Sequence, residues 1–197
     1  YSAGGIKEPG SLRNILVNRN GRNIATVDVY DFLMNGNRSG DIRLEEGDVI
    51  LVPSYRTLVK VNGKVKRPMF FELKEGESLA NLIEYAGGFA QGAYTSNITV
   101  VRQTGKEYEV CTVNEMDRKI FQMKNGDDVE VGELVSRFKN KISIKGAVYR
   151  SGLYQLDGET NTIKALINKA EGLMPDAFTN RGILNREHDD RSLEMLS

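Results

Sequence analysis

Val59-Lys-Val-Asn-Gly63-Lys-Val65-Lys-Arg67-Pro-Met-Phe-Phe71-Glu-Leu73 returns later in the chain as Ile142-Ser-Ile-Lys-Gly146-Ala-Val148-Tyr-Arg150-Ser-Gly-Leu-Tyr154-Gln-Leu156. Gly63 and Gly146 lie 83 positions apart, and the valines, arginines, aromatics and leucines keep that spacing. Downstream, Ser78-Leu79-Ala-Asn-Leu82-Ile83-Glu-Tyr-Ala86-Gly-Gly88 is echoed by Thr162-Ile163-Lys-Ala-Leu166-Ile167-Asn-Lys-Ala170-Glu-Gly172 at an offset of 84, one residue being inserted near 157–161. The match runs on through Ala93-Tyr94-Thr95 and Ala177-Phe178-Thr179 and ends at Arg102 and Arg186. A period held over so many positions marks a repeat architecture.

The opening segment reads as another copy, entered midway. Val17-Asn-Arg19 then Gly21 resembles Val100-Val-Arg102 then Gly105. Ile42-Arg-Leu44-Glu-Glu-Gly47-Asp48-Val-Ile50-Leu-Val52 resembles Phe121-Gln-Met123-Lys-Asn-Gly126-Asp127-Asp-Val129-Glu-Val131. The expected organisation is the back of one unit (1–56), a complete unit (57–139) and the front of a third (140–197). Half-units leave apolar faces that a neighbouring segment must cover.

Each unit can be built from local rules. Val59, Val61 and Val65 alternate with polar residues around Asn62-Gly63, predicting strand, tight turn, strand. Pro68 and Ser151-Gly152 mark the following turn. Phe71 and Leu73, like Tyr154 and Leu156, then share one face of a short strand. Ser78 and Thr162 stand where an N-cap hydroxyl accepts from free helix N–H groups. Leu79, Leu82, Ile83 and Ala86 form one helical stripe, which Gly87-Gly88 ends in a left-handed conformation. Ile98-Thr-Val100 and Tyr108-Glu-Val110 flank a hairpin turn, Ile15 to Val29 around Asn20-Gly21 is its counterpart, and a short strand follows each Gly-Asp turn. The fold class is therefore α+β, with one helix packed across a small mixed sheet in each unit.

Composition narrows the function. Among 197 residues, Lys plus Arg and Asp plus Glu both number 27, so the phosphate-tracking excess of a nucleic-acid binder is missing. Hydrophobic residues at 40% rule out a disordered chain. A single cysteine, Cys111, excludes an internal disulfide, a CxxC zinc site and an iron–sulfur cluster. A single histidine, His188, excludes two-histidine metal motifs and leaves little acid–base chemistry near neutral pH. It lies in Arg186-Glu-His-Asp-Asp190, read as a solvated loop and not a metal site. Cys111 reads as a small buried or edge residue, and Gly4-Gly5 and Gly87-Gly88 lack the Gly-Lys-Ser/Thr of a phosphate loop. No apolar run approaches the ~20 residues of a membrane span. With no nucleophile–base pair to propose, catalysis is not expected.

The strand followed by Gly63-x-Val65-x-Arg67-Pro68, an aromatic, and Ser78-Leu79-x-x-Leu82-Ile83-x-x-Ala86-Gly87-Gly88 resembles the soluble-ligand-binding β-grasp (SLBB) domain. Tandem copies with the Leu44-Glu-Glu-Gly47-Asp48-Val-Ile50-x-Val52-Pro53 ending are similar to bacterial polysaccharide export proteins of the outer membrane. The third copy departs at Ser151-Gly152 and at Glu171, which replaces the first helix-ending glycine. The resemblance implies a non-enzymatic, cofactor-free periplasmic module, held at the outer membrane through parts this chain lacks. Its implied partners are a capsular or exopolysaccharide, other subunits of an export ring and an inner-membrane copolymerase, with no nucleic acid. Two further classes carry similar domains: small-ligand receptors of the cobalamin-binding kind, and DNA-uptake proteins. The second should bring helix-hairpin-helix motifs and a basic surface, and neither is visible.

Arg67, Arg102, Arg150, Arg186 and Tyr94 are the candidate glycan or subunit contacts. Arginine can hold a sugar carboxylate through two parallel hydrogen bonds. A solvated strand end or an intersubunit salt bridge explains the same arginines, and exposed charge is the default. Tyr94 can stack on a sugar ring, but aromatics that follow a helix usually finish the core, so Tyr94 and Phe178 are expected there.

Overall fold

Alternating valines and a capped apolar stripe give the middle of the chain its sheet and helix. The computed structural model describes residues 4–179 and 182–185. The chain divides into two compact units, Tyr1–Val135 and Ser136–Ser197.

The first unit holds two sheets. Strand β1 (Ile15–Arg19) pairs antiparallel with β2 (Arg22–Val27), and their turn places Asn20 and Gly21 at φ 50° and 75°. Helix α1 (Val29–Asn35) follows, and β3 (Val49–Leu51) joins the other side of β1, giving the order β2-β1-β3. The second sheet contains β4 (Thr57–Gly63), β5 (Phe70–Leu73), β6 (Asn97–Gln103), β7 (Tyr108–Asn114) and β8 (Asp128–Val131). Its order is β5-β4-β8-β6-β7, with β4 parallel to β8 and the other pairs antiparallel. Helix α2 (Leu79–Tyr85) lies across it. Leu79, Leu82, Ile83 and Ala86 bury their stripe against Val59, Val61, Phe71, Leu73, Ile98, Val100, Val129 and Val131. The α+β design, the helix stripe and both hairpins are those the periodicity predicts.

Ser78 N-caps α2, its hydroxyl and N–H both meeting Asn81 Oδ1 at 2.8 and 3.0 Å. Gly87 and Gly88 have φ of 79° and 87°, and the Gly88 N–H donates to Ile83 O at 2.8 Å. The predicted Asn62-Gly63 hairpin turn does not form. β4 runs straight through Asn62 to Gly63, which pairs with Val131 of β8, and the chain turns only over residues 64–69. Gly63 is needed for a different reason: a Cβ there would collide with the Val131 carbonyl, and φ is 78°. Cys111 is partly buried on the edge strand β7, beside the core.

The second unit repeats the front of this design. β9 (Lys141–Ile144) and β10 (Gly152–Gln155) pair antiparallel, and α3 (Ile163–Lys169) starts at Thr162, whose hydroxyl accepts from Ala165 N–H at 3.2 Å. Even irregular contacts recur: the bridge Val65↔Phe89 reappears as Val148↔Leu173. Arg67 N–H bonds Ala86 O at 3.0 Å, and Arg150 N–H bonds Ala170 O at 3.1 Å. Helix α1 is an addition to the sequence reading. Asp28 caps it by accepting from the Tyr30 and Asp31 N–H groups, and Gly36 ends it at φ 66°.

Leu82 is fully buried at the centre of this core. Leu82→Ala should cost roughly 2–5 kcal/mol in chemical unfolding; a loss below about 0.5 kcal/mol would show that the stripe is not the core it is taken for.

Candidate functional site

Two arginine devices organise the first unit, and one of them is repeated. Arg19, the last residue of β1, reaches the Gly-Asp turn before β3, with Nε and Nη2 on the two Asp48 oxygens at 2.8 Å each. Arg102, near the end of β6, does the same to Asp127 at 2.9 and 2.8 Å. In both copies Nη2 also donates to a backbone carbonyl, Arg43 O at 3.2 Å or Gln122 O at 3.0 Å. In both, the aspartate accepts from the N–H three residues before it, Glu45 at 2.9 Å or Lys124 at 2.8 Å. Two parallel charge-assisted bonds fix the turn against the strand. The Arg19 hydrogen bonds, then the Glu45 N–H, bring the Asp48 carboxyl down to about 2.

The second device is Arg13, whose side chain is almost fully buried. Nη1 donates to Glu77 Oε2 at 2.6 Å and to Glu72 O at 3.3 Å, while Nη2 meets Asp28 Oδ2 at 3.1 Å. The guanidinium also faces the rings of Tyr30 and Tyr85, at 4.8 and 4.9 Å from their centroids. Burial opposes the Arg13 charge, but hydrogen bonds to Glu77 and Asp28 outweigh it and raise its pKa. Burial likewise disfavours the Asp28 carboxylate, yet Arg13 and Lys74 hold it below the usual range. Burial, followed by the hydrogen bond to Glu77, pushes Tyr85 up to about 12. Next to this cluster Glu72 is buried, accepting from Ser11 Oγ at 2.5 Å and Leu12 N–H at 2.7 Å. These contacts tie the segment before β1, and helix α1, to β5 and α2 of the next sheet.

The candidate contacts fall in different places. Arg67 is exposed, its guanidinium beside Gly87 at the carbonyl end of α2. Arg150 stands at the matched end of α3, with Nε 3.2 Å from Glu171 Oε2, both side chains well exposed. Glu171 takes the left-handed conformation of the glycine it replaces, at φ 64°. Arg102 is engaged in the Asp127 clasp, so its donors hold the fold together. Tyr94 is partly exposed, its N–H bonded to Gly132 O and its hydroxyl accepting from Asn97 at 3.3 Å. Phe178 is exposed, against the core expectation for both aromatics, because the described part of its unit has only a two-stranded sheet to pack on. Arg186 and His188 lie outside the described residues.

Sequence reading missed the outer face of the five-stranded sheet. Register puts Phe70, Lys60, Asp128, Val101 and Val110 in one row across all five strands. Phe70 and Tyr108 are exposed there and line a groove of about 440 Å³ with Leu58, Lys60 and Val101. Lys60 and Asp128 form a loose pair at 3.7 Å, and Asn62 donates to Asp128 at 2.8 Å. The signal was the other half of the β4 alternation, where Leu58 and Lys60 flank Val59.

Residues 58–113 match the SLBB domain model. Two curated relatives, both named polysialic acid transport protein KpsD from Escherichia coli, are 32% identical over 101 residues. Each alignment covers 51% of this chain and 17% of the relative, so the chain matches under a fifth of their length.

Arg13→Ala should cost about 3–5 kcal/mol in urea unfolding of the first unit, since it takes the buried guanidinium from the partly buried Asp28 and Glu77 carboxylates; a loss under about 1 kcal/mol would mean the charge is solvated after all. Asp48 binds its proton less readily folded than unfolded, so its contribution is present above its unfolded pKa near ~4 and fades as pH falls through about 2. Asp48→Asn should flatten the acid limb of the stability profile between these values, and an unchanged limb would remove the clasp from that role.

Proposed function

We propose that this chain, with its SLBB domain and its likeness to polysialic acid transport proteins, is a non-catalytic module of a bacterial polysaccharide export system. The reading rests on that likeness together with the tandem design. Residues 1–56, 57–139 and 140–197 are taken as the back of one unit, a whole unit and the front of another. The module works in the periplasm, linked to the outer membrane, where it supports subunit assembly and lines the path of a capsular or exopolysaccharide. An export ring and an inner-membrane copolymerase are its partners in this reading.

The chemistry suits passive transport. A groove open along a sheet face admits a polymer passing over it more readily than it encloses a small molecule. Phe70 and Tyr108 can stack on the apolar faces of sugar rings without fixing their register. Arg67 and Arg150, at matched positions, and Tyr94 remain the proposed side chains for acidic sugars or neighbouring subunits. Weak contact at many sites lets a hydrated chain slide, whereas a fully hydrogen-bonded pocket would stall it.

Deleting the gene for the full-length protein in its native bacterium should abolish surface polysaccharide while leaving synthesis intact. Restoring the gene with Phe70→Ala and Tyr108→Ala should rescue only part of the export, with the folded protein at normal abundance. Wild-type surface polysaccharide in the deletion strain would overturn the export reading. In NMR titrations, oligosaccharide should shift outer-face resonances with a Kd of about 1 mM or weaker, and micromolar binding would point to a receptor.

A further inference from the structure

The five-stranded sheet keeps its core and α2 on one side, and the side chains on its outer side fall into rows. Phe70, Lys60, Asp128, Val101 and Val110 form one row, and Asn62, Glu130, Thr99 and Thr112 form the next. At about 4.8 Å between strands, such rows run roughly 14 to 19 Å across the sheet. Phe70, Tyr108 and Val110 are 55%, 72% and 66% exposed, and Glu130, Thr99 and Thr112 are exposed as well. Charge on these strands is lopsided. They carry two cations, Lys60 and Arg102, against the four carboxylates of Glu72, Glu109, Asp128 and Glu130. Arg102 is committed to the Asp127 clasp. Lys60 stands 3.7 Å from Asp128, whose carboxylate also accepts from the Asn62 amide at 2.8 Å. Asp128 and Glu130, two apart on β8, point to the same outer side.

We propose, resting on the export reading, that this outer face binds uncharged, hydroxyl-rich sugars and disfavours acidic ones. A pyranose ring has an apolar C–H face and a polar rim. The exposed rings of Phe70 and Tyr108 match the first. The rim donates through its hydroxyls, and ionised carboxylates only accept, so Asp128 and Glu130 can take charge-assisted bonds from it. Thr99 and Thr112, paired across β6 and β7, continue that row with hydroxyls of their own. An acidic sugar fits this face badly. Its carboxylate has no hydrogen to give, and it brings negative charge to a surface where carboxylates already outnumber cations. Lys60 cannot meet it alone, because Asp128 already draws on the same ammonium. A face built for acidic sugars would present free guanidinium forks beside the rings, and the arginine of these strands points its fork at Asp127 instead.

The test is NMR titration of the 197-residue chain at one ionic strength, since salt screens the charges compared. The probes are neutral tetramers of glucose and of N-acetylglucosamine, and acidic tetramers of galacturonic acid and of sialic acid. A neutral tetramer should shift the amides of Phe70, Lys60, Val101 and Thr112, and the acidic tetramers should bind at least tenfold more weakly. Asp128→Asn with Glu130→Gln should narrow that preference to under threefold, with circular dichroism unchanged. Phe70→Ala with Tyr108→Ala should remove neutral binding. The proposal is overturned by an acidic tetramer that binds as well as the neutral ones, by a preference the Asp128 and Glu130 variant leaves intact, or by no outer-face shift with either neutral tetramer. Gene deletion keeps the two readings apart. Lost surface polysaccharide without neutral-sugar binding overturns this inference alone, and neutral-sugar binding with normal surface polysaccharide overturns the export reading alone.

Discussion

A guanidinium shut away from water must be answered by carboxylates, and Arg13 draws the first unit together by meeting that requirement. Its partners come from three places in the chain: Asp28 at the start of α1, Glu77 just before α2, and the Glu72 carbonyl on β5. Tyr30 and Tyr85 close over the charge in an edge-to-face pair, 5.4 Å apart. Apolar surface can slide over apolar surface, but a forked donor with fixed acceptors accepts few alternative arrangements. The cluster therefore sets how the β2-β1-β3 sheet meets the five-stranded sheet. Apolar burial supplies most of the attraction, and the charges supply the geometry.

The Arg–Asp clasps act at shorter range and explain why the repeat keeps Arg19 with Asp48 and Arg102 with Asp127. Each ties the end of a hairpin strand to the turn that launches the next one, so that strand enters the sheet in register. The clasp survives in the β2-β1-β3 sheet even though no front half sits beside it. Substitution at the helix end is tolerated too: Glu171 adopts the backbone of Gly87 and forms an ion pair with Arg150.

What was legible in the sequence is what depends on neighbours in the chain. The stripe from Leu79 to Ala86, the hairpin at Asn20-Gly21 and the strands after the Gly-Asp turns all follow from local spacing. The Arg102 clasp was also within reach, since an arginine on a hairpin strand and a following Gly-Asp turn recur together in two copies. Helix α1 passed unread, although Asp28 and Gly36 are ordinary start and stop signals, because the hairpin reading was carried through Val29. The burial of Glu72 could not be read locally. Its place in the strand alternation faces outward, and it is covered by Ser11, Leu12 and Tyr30 from about 40 to 60 residues away. Gly63 misled for a similar reason: its need for a bare backbone comes from a strand far downstream.

That distance governs the order in which such a chain can fold. β4 must wait for β8, so the central parallel ladder closes only after the whole intervening hairpin and helix have been made. As the chain emerges N-terminus first, every new front half stands with an open strand edge until its own back half follows. During that interval the nearest ready-made edge is the finished unit behind it, a competitor of the same design. A chain of repeated units thus carries a built-in hazard of misregistered pairing between repeats. Divergence between copies, as at Ser151-Gly152 and Glu171, gives the chain a way to tell its own halves apart.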